Sequence, residues 1–136
     1  MKKLIYIVII IVVGIIILTL NGQGKHDENE VKIKHVSMDD IVQIMNENNN
    51  YVILDVRTIE EYNEGHIPDA ICIPNETIDN NIINQIPDKE QLILIYCRSG
   101  NRSKQAAEKL KKLGYTNLID FGGIIDWKGE IVKKAQ

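Results

Sequence analysis

The sequence predicts an α/β domain with a parallel sheet of about five strands, helices on both faces and a hydrophobic helix at the N-terminus. Two observations predict the domain. Short apolar runs alternate with segments of helical periodicity along residues 31–136, and this alternation is typical of strand–helix–strand units. Several of the runs are apolar throughout, as in strands buried on both faces of a parallel sheet. A third observation, a longer apolar run within the first 20 residues, predicts the N-terminal helix.

Residues 1–20 are predicted to be a membrane anchor or a signal peptide. Residues 4–20 form a run of 17 residues without a charge, which is close to the shortest helix that spans a bilayer. Lys2 and Lys3 precede the run and acidic residues follow it, so the positive-inside rule predicts an extracytoplasmic domain. The residues after the run fit a cleavage site poorly, which favours an uncleaved anchor over secretion. Residues 21–30, rich in Gly, Asn and charged residues, predict a linker.

The first half of the domain is predicted from alternation, helix capping and apolar runs. Ser37 is a good N-cap, and the acidic residues that follow it favour a helix start. The elements predicted here are a strand over 31–36, a helix from Ser37 to about Glu47, a strand over 51–54, a short helix that ends at Gly65 and a strand over 70–73.

The second half of the domain contains the strongest strand and the strongest helix. Residues 92–96 form an uninterrupted apolar run, which predicts a buried strand. The helix after it carries alanines and leucines at helical spacing and ends at Gly114. The elements predicted here are a helix over 78–86, a strand over 92–96, a helix over 104–113, a strand over 117–120 and a last helical turn over 122–127.

The loop over residues 97–103 is the candidate site, because ligands of parallel α/β sheets bind where strands end and helices begin. Cys97 ends the strand and faces the unpaired N–H groups of the next helix. Gly100 and Asn101 tolerate positive φ, so the loop can turn successive N–H groups towards one point and form an anion cradle. A thiol in such a cradle is expected to be acidic and reactive. A buried, inert structural cysteine is the alternative.

Arginine is scarce in this chain, and two of its three arginines lie in this short loop. They are Arg98 and Arg102, and the third is Arg57. An arginine side chain recognises an oxyanion through two parallel hydrogen bonds, which a lysine side chain cannot make. The loop therefore combines a candidate nucleophile with groups suited to an anionic ligand.

The loop resembles the active-site loop of the rhodanese family, in which the catalytic cysteine opens the cradle. Further segments resemble motifs of that family in the same order, over roughly residues 33–130. Asp69 departs from the family pattern, which usually has Gly there, and a turn that Asp tolerates is expected. The matching segments are Asp55-Val56-Arg57 with Glu61-Tyr62 and Gly65-His66-Ile67-Pro68, then Ala70-Ile71-Cys72-Ile73-Pro74, then Gly122-Gly123-Ile124-Ile125-Asp126-Trp127.

The resemblance implies a rhodanese-type sulfurtransferase. Such an enzyme moves a sulfane sulfur from thiosulfate or a persulfide donor to a thiol or cyanide, here through a Cys97 persulfide. No metal or cofactor is implied, since inward N–H groups stabilise both sulfur anions. The implied partners are the small-molecule donor and acceptor and, through residues 4–20, the membrane; a protein acceptor is left open. The expected substrate-binding residues are Arg98 for the donor, Arg102 as a brace of the loop, and Ser99, Gly100, Asn101 and Ser103 through backbone N–H groups, with Ser103 also a helix cap.

Residues outside the loop are expected to support it. Asp55 and Arg57 predict an ion pair that holds neighbouring loops, with substrate contact by Arg57 as the alternative. His66 is expected to be a hydrogen-bonded residue in a turn rather than a general base. Cys72 is expected to be a small buried residue, with a disulfide to Cys97 in an oxidising compartment as the less favoured alternative, and Trp127 is expected to cover the core.

Composition and spacing bear on the other functions. The net charge of −3 argues against sequence-independent nucleic-acid binding, which needs a basic surface. A cysteine-dependent phosphatase or arsenate reductase is less favoured, because only four residues separate Cys97 from Arg102 and a short loop makes a small cradle. A non-catalytic rhodanese-like binding or regulatory module is the other alternative, although inactive versions usually lack the cysteine.

Overall fold

The chain forms two compact units, residues 1–30 and residues 31–136. In the first unit, helix α1 spans Lys2–Leu20. Across the part of the chain that the structure describes, no helix is long and apolar enough to cross a membrane. The anchor over residues 4–20 therefore stays a prediction, and the predicted linker, residues 21–30, lies outside the described residues apart from its last one. The structure is a computed structural model, and the residues it describes are 2–20, 30–79, 82 and 84–133.

Five parallel strands form a single sheet in the second unit, and this confirms the predicted α/β domain with a five-stranded parallel sheet. The strands are β1 Lys34–His35, β2 Tyr51–Asp55, β3 Ile71–Cys72, β4 Leu92–Cys97 and β5 Leu118–Gly123. Their order across the sheet is β1-β5-β4-β2-β3, so β4 lies between β5 and β2. Because the strands are parallel, their C-terminal ends meet at one edge, and β4 brings Cys97 to the middle of that edge.

Helices connect the strands, and local signals account for where two of them begin. The helices are α2 Met38–Glu47, α3 Ile59–Glu64 and α4 Asn101–Lys112, with 3-10 turns at Asn75–Thr77 and Ile124–Asp126. The Ser37 side chain accepts the Asp40 N–H, which makes Ser37 the N-cap that the sequence predicts. At α3, Thr58 and Glu61 form a capping box by accepting each other's backbone N–H. Helix α4 has no side-chain cap and starts directly after Gly100.

Apolar clusters cover both faces of the sheet, which is why its central strands read as unbroken apolar runs. On one face Ile93 and Ile95 of β4 pack with Leu110 of α4. On the other face Leu94 of β4 packs with Ile41 of α2. All five side chains are fully buried, and burial of each contributes about 1.5–3 kcal/mol. Strand β4 is thus held from both sides, and the position of its last residue follows from that packing.

Several local predictions differ from the structure, and helix α4 also begins earlier than predicted, at Asn101. Strand β1 is confined to Lys34–His35, because it is an edge strand whose two side chains are exposed and which pairs only with β5. Strand β5 continues to Gly123 rather than ending at Asp120, because Gly123 still pairs with the end of β4. The helix predicted over 78–86 lies in a partly described segment whose described residues form no α-helix. Its apolar residues nevertheless reach the core, namely Ile78, Ile82 and Ile86.

Asp69 lies in a tight turn, as the sequence predicts. Its φ is 63°, in the left-handed region that favours Gly. The turn is closed by a hydrogen bond from the Ala70 N–H to the Ile67 carbonyl. Asp tolerates this conformation better than most residues, because its short polar side chain can hydrogen-bond locally. Asp69 thus occupies the turn that leads into β3.

Candidate active site

Cys97 ends β4, and polar groups of the following loop face its sulfur. The Gly100 N–H donates to Cys97 Sγ over 3.0 Å. The Cys97 thiol also lies 3.6 Å from the Ser103 hydroxyl, which donates to the Gly100 carbonyl over 3.0 Å. The hydroxyl has a single proton and can turn it towards the carbonyl or the sulfur. The Gly100 N–H is suited to an anionic sulfur, because a hydrogen bond to a charged acceptor is stronger than one to a neutral acceptor.

Gly100 allows the loop to turn back on the sulfur. Its φ is 105°, a conformation that residues with a side chain rarely adopt. The sequence suggested positive φ for Gly100 and tolerance of it at Asn101, but only Gly100 adopts it. Because the chain turns within one residue, Asn101 already begins α4. Ser103 therefore lies in the first turn of that helix and is not its cap, which corrects the capping role expected from the sequence.

The sulfur is recessed, whereas the tip of the loop is exposed. Cys97 is 1% exposed and packs against the apolar cluster on the α4 side of the sheet. Arg98, Ser99 and Asn101 are exposed. The cysteine thus has the polar contacts expected of a reactive thiolate together with the burial expected of a structural one.

Arg102 is bound to a carboxylate on α3. Its Nη1 and Nη2 donate to the two carboxylate oxygens of Glu61 over 2.7 and 2.8 Å. The hydrogen bonds from Arg102 lower the pKa of Glu61 to about 2, helped by the Thr58 N–H and opposed by partial burial. This two-pronged ion pair joins the first turn of α4 to α3, and it fits the bracing role predicted for Arg102.

Arg98 lines a pocket beside the loop. The pocket has a volume of about 460 Å³, and its lining comes from α3, the loop and the segment after β5. Its lining residues are Arg57, Glu61, Glu64, Gly65, Arg98, Ile124, Ile125 and Ile131. The backbone of Arg98 is fixed, since its carbonyl accepts the Ile125 N–H over 3.3 Å. A ligand in this pocket would lie directly next to the loop that holds Cys97.

Gly123 lets the loop pack against the end of β5. A Cβ at Gly123 would lie 2.5 Å from Ser99 Cα and closer still to the Arg98 carbonyl oxygen. These are backbone atoms, which cannot move aside as a flexible side chain can. Gly122 is different, because a Cβ there meets open space while its φ of 90° suits Gly. The glycine pair noted in the sequence therefore has two separate structural reasons.

A buried polar network lies beneath the site. Arg57 donates to both oxygens of Asp55, with 2.6 Å from Nη2 to Oδ2, and also to the Gly65 carbonyl over 2.7 Å. The Tyr96 hydroxyl donates to Asp55 Oδ2 over 2.7 Å and accepts the Ile67 N–H over 3.2 Å. Burial and the nearby Asp55 charge raise the pKa of Tyr96 well above its usual range. The network holds the loop around Gly65 on the C-terminal edge of the sheet.

The burial and contacts of His66, Cys72 and Trp127 are typical of residues that support the fold. His66 is buried, stacks on Tyr62 with ring centroids 3.6 Å apart, and its Nδ1 lies 2.8 Å from the Tyr62 carbonyl. Cys72 is half-buried, and burial raises the pKa of its thiol to about 11. Both cysteines are free thiols. Trp127 packs partly buried against the apolar cluster on the α2 side of the sheet. In the described ranges no group of three His, Cys, Asp or Glu residues is placed to bind a metal.

Three residues at the site were given no role on the basis of the sequence, namely Tyr96, Glu61 and Gly123. Tyr96 carried a signal, because a hydroxyl inside an unbroken buried strand needs a hydrogen-bond partner. Glu61 carried a weaker one, since its place in the capping box of α3 is readable but its partner Arg102 is 41 residues away. Gly123 stood within a recognised motif, but only the packed structure identifies the loop backbone as its neighbour.

Comparisons with known proteins show which family the domain resembles. The sequence model of the rhodanese-like domain matches residues 37–130. A thiosulfate sulfurtransferase of Escherichia coli, PspE, is 38% identical over 73 residues, which are 54% of this chain and 70% of PspE. The YrkF protein of Bacillus subtilis is 35% identical over 113 residues, and this chain covers 60% of its length. A crystal structure of a rhodanese-like domain protein from Staphylococcus aureus superposes with a TM-score of 0.67 at 32% identity, covering 76% of this chain and all of that one.

Proposed function

Because the chain belongs to the rhodanese-like domain family, we propose that it is a sulfurtransferase that carries a sulfane sulfur as a persulfide on Cys97. The donor is thiosulfate or a persulfide, and the acceptor is a thiol or cyanide. The single observation that carries the proposal is the Gly100 N–H directed at Cys97 Sγ over 3.0 Å in a loop with an exposed arginine. The name of the relative PspE, a thiosulfate sulfurtransferase, supports the donor class.

In the first half of the reaction, the Cys97 thiolate attacks the outer sulfur of thiosulfate. A bond forms between Sγ and that sulfur, the sulfur–sulfur bond of thiosulfate breaks, and its electron pair leaves on sulfite. Arg98 binds the departing anionic group, because it is exposed at the tip of the loop. The Gly100 N–H stabilises negative charge on Sγ, both in the attacking thiolate and when Cys97 leaves as a thiolate in the second half-reaction. Glu61 keeps Arg102 in place, so the loop retains its shape.

In the second half, an acceptor thiolate or cyanide attacks the outer sulfur of the persulfide. A bond forms between the acceptor and that sulfur, the bond to Sγ breaks, and Cys97 leaves as the thiolate that began the cycle. The acceptor departs as a persulfide or as thiocyanate. Atoms and charge balance over both halves, and no external oxidant or reductant is consumed.

A thiosulfate:cyanide assay on the full chain tests the proposal. We expect turnover in the wild type, none in Cys97→Ser, and wild-type turnover in Cys72→Ser, the matched control at the other free cysteine. Mass spectrometry after incubation with thiosulfate is expected to find a gain of about 32 Da on Cys97, as one added sulfur at a reactive thiolate requires. Turnover that persists in Cys97→Ser would exclude the proposed chemistry.

The burial of Cys97 favours a second candidate, a non-catalytic binding or regulatory module. Reactive cysteines are usually partly exposed, whereas Cys97 is 1% exposed. The mass measurement separates the two functions. A Cys97 thiol that stays unmodified with thiosulfate and with organic persulfide donors, in a protein that is folded by circular dichroism, would favour the binding module.

A separate proposal concerns location. We propose that residues 4–20 anchor the protein and leave the domain on the extracytoplasmic side, where the acceptor could also be a protein. The apolar run after Lys2 and Lys3 supports this proposal. Fractionation of cells that express the full chain tests it, followed by protease treatment of intact spheroplasts. Recovery of the chain in the soluble cytoplasmic fraction would contradict the proposal.

A further inference from the structure

The pocket beside the loop is larger than the substrates of the assay require. It has a volume of about 460 Å³. Pockets that bind small organic molecules have volumes of roughly 300–1,000 Å³, so this pocket lies within that range. Thiosulfate and cyanide would fill only a small part of it. Since Arg98 lines it, the pocket adjoins the loop that presents Cys97. The size of the pocket therefore points to an organic acceptor.

Two of the charged side chains that line the pocket are already paired with other groups of the protein. The Arg57 guanidinium is bound by Asp55 and by the Gly65 carbonyl. Both carboxylate oxygens of Glu61 accept hydrogen bonds from Arg102. These two side chains form a fixed wall of the pocket and offer no net charge to a ligand.

Two other charged side chains at the pocket are uncommitted. Within the described ranges, neither the Arg98 guanidinium nor the Glu64 carboxylate has an ion-pair or hydrogen-bond partner, and both are exposed. Glu64 is also the last residue of α3. A carboxylate at a helix C-terminus faces the negative end of the helix dipole, so it gains nothing from the helix that carries it. The pocket thus presents one free positive and one free negative group.

The remaining wall is apolar. Ile124, Ile125 and Ile131 line the pocket, and Ile125 is 64% and Ile131 43% exposed. Covering these side chains with the carbon skeleton of a ligand removes apolar surface from water, which favours binding. A ligand that pairs with Glu64, with Arg98 and with the isoleucine wall carries an ammonium group, a carboxylate and an apolar or methylene part.

We propose that Glu64 and Arg98 determine acceptor specificity, by binding the ammonium group (Glu64) and the carboxylate (Arg98) of a zwitterionic thiol of the amino-acid or short-peptide class. This deepens the proposed function and rests on it. Arg98 serves both half-reactions in turn, because the donor anion has left before the acceptor arrives. The acceptor sulfur attacks the outer sulfur of the Cys97 persulfide, a new sulfur–sulfur bond forms, the bond to Sγ breaks, and the acceptor leaves as its persulfide.

The test isolates the acceptor half-reaction in the full chain. Cys97 is loaded with thiosulfate, the donor is removed, and loss of the added sulfur is followed by mass spectrometry against acceptor concentration. The matched probes are L-cysteine and N-acetyl-L-cysteine, which differ in the ammonium group, and cysteamine, which lacks the carboxylate. Comparing each variant with the wild type for the same probe removes the intrinsic reactivity of each thiol.

Glu64→Gln is expected to raise the half-saturating concentration of L-cysteine and of cysteamine about three- to fivefold, the effect of one partly exposed ion pair. N-acetyl-L-cysteine should be unaffected by this variant. Glu60→Gln, at an exposed residue of the same helix outside the pocket, should change no probe. Arg98→Gln is expected to raise the half-saturating concentration of L-cysteine and to leave that of cysteamine unchanged.

The two levels of the hypothesis fail separately. In one outcome the persulfide forms and cyanide is turned over, while Glu64→Gln changes the half-saturating concentrations of L-cysteine and N-acetyl-L-cysteine by the same factor. In that case the zwitterionic acceptor is excluded and the proposed function stands. If no persulfide forms and cyanide is not turned over, the proposed function fails and this proposal fails with it.

Discussion

The Tyr96 hydroxyl connects strand β4 to Asp55 of β2 and to the loop that contains Ile67. It donates to the fully buried carboxylate of Asp55 and accepts the N–H of Ile67. Tyr96→Phe keeps the ring in the core but leaves the Ile67 N–H without its partner. Loss of a buried hydrogen-bond partner costs about 1–3 kcal/mol. We expect the free energy of unfolding in urea to fall by that amount.

The control for Tyr96→Phe is Tyr51→Phe. Tyr51 lies on β2 and is half-buried, and in the described part of the chain its hydroxyl makes no hydrogen bond. We expect Tyr51→Phe to leave the free energy of unfolding within about 0.5 kcal/mol of the wild type. Equal losses in the two variants would mean that the hydroxyl of Tyr96 does not carry the network.

The ion pair of Glu61 and Arg102 predicts a defined acid dependence of stability. The pKa of Glu61 is lowered from 4.5 to about 2, chiefly by the hydrogen bonds from Arg102. A lowered pKa means that the stabilisation is complete above pH 4.5 and is lost as the pH falls towards 2. Glu61→Gln keeps the capping box, because Gln can accept the Thr58 N–H, but it loses the charge. We expect it to be less stable by about 1 kcal/mol at pH 7, the upper range for a partly exposed pair.

The pH series distinguishes this ion pair from a general loss of packing. The difference in unfolding free energy between the wild type and Glu61→Gln should stay constant from pH 7 to about pH 5. It should shrink as the pH falls below 4.5, measured by urea unfolding at each pH. Glu60→Gln, at an exposed neighbour on α3, should show no such trend. A difference that is independent of pH down to 3 would contradict the assignment.

At the scale of elements, the sequence predicts buried strands better than it predicts which elements contact each other. β2 and β4 were predictable because strands buried on both faces read as unbroken apolar runs. The pairing of Glu61 with Arg102 was not, because the two lie on different helices and no periodicity connects them. The segment 78–86 carries isoleucines at helical spacing, and in the fold they serve the core from a segment that is not a regular helix along its described residues. Periodicity reports which side chains point inward and not which backbone carries them.

The end of β5 is the element that sets the position of the loop, and this predicts different outcomes at two adjacent glycines. Gly123→Ala adds a Cβ that would collide with the backbone of Arg98 and Ser99. The loop must then shift away from Cys97, and a displacement of about 1 Å at an active site costs on the order of 100-fold in rate. We expect sulfur transfer from thiosulfate to cyanide to fall by that factor while the domain stays folded by circular dichroism.

Gly122→Ala is the matched control on the same strand. Its Cβ would meet open space, but its φ of 90° is strained for Ala. We expect a loss of about 1–2 kcal/mol in stability with the KM for thiosulfate unchanged. If Gly122→Ala and Gly123→Ala lose activity and stability in the same proportion, close packing of the loop on β5 does not position the cysteine.

At the scale of the molecule, the order of the strands concentrates the chemistry at one edge. β4 lies between β5 and β2, so the loop after β4 has Gly123 on one side and the network of Asp55 on the other. The sequence predicts the loop after β4 as the site, because that loop joins a buried strand to a helix, whereas the order of the strands is known only from the structure. The pocket could not be predicted in this way, because it is lined by α3, the loop and the segment after β5, which lie far apart along the chain.

The unit formed by residues 31–136 is expected to fold and function without the first 29 residues. Its two apolar clusters are built from residues of that unit, and both include side chains of β4. A chain of residues 30–136 should unfold in one cooperative transition and keep the thiosulfate:cyanide activity of the full chain measured in detergent. Leu94→Ala in the shortened chain should lower the free energy of unfolding by about 2–5 kcal/mol, because Leu94 is fully buried. A shortened chain without a cooperative transition, or one indifferent to Leu94→Ala, would show that its core depends on the N-terminal unit.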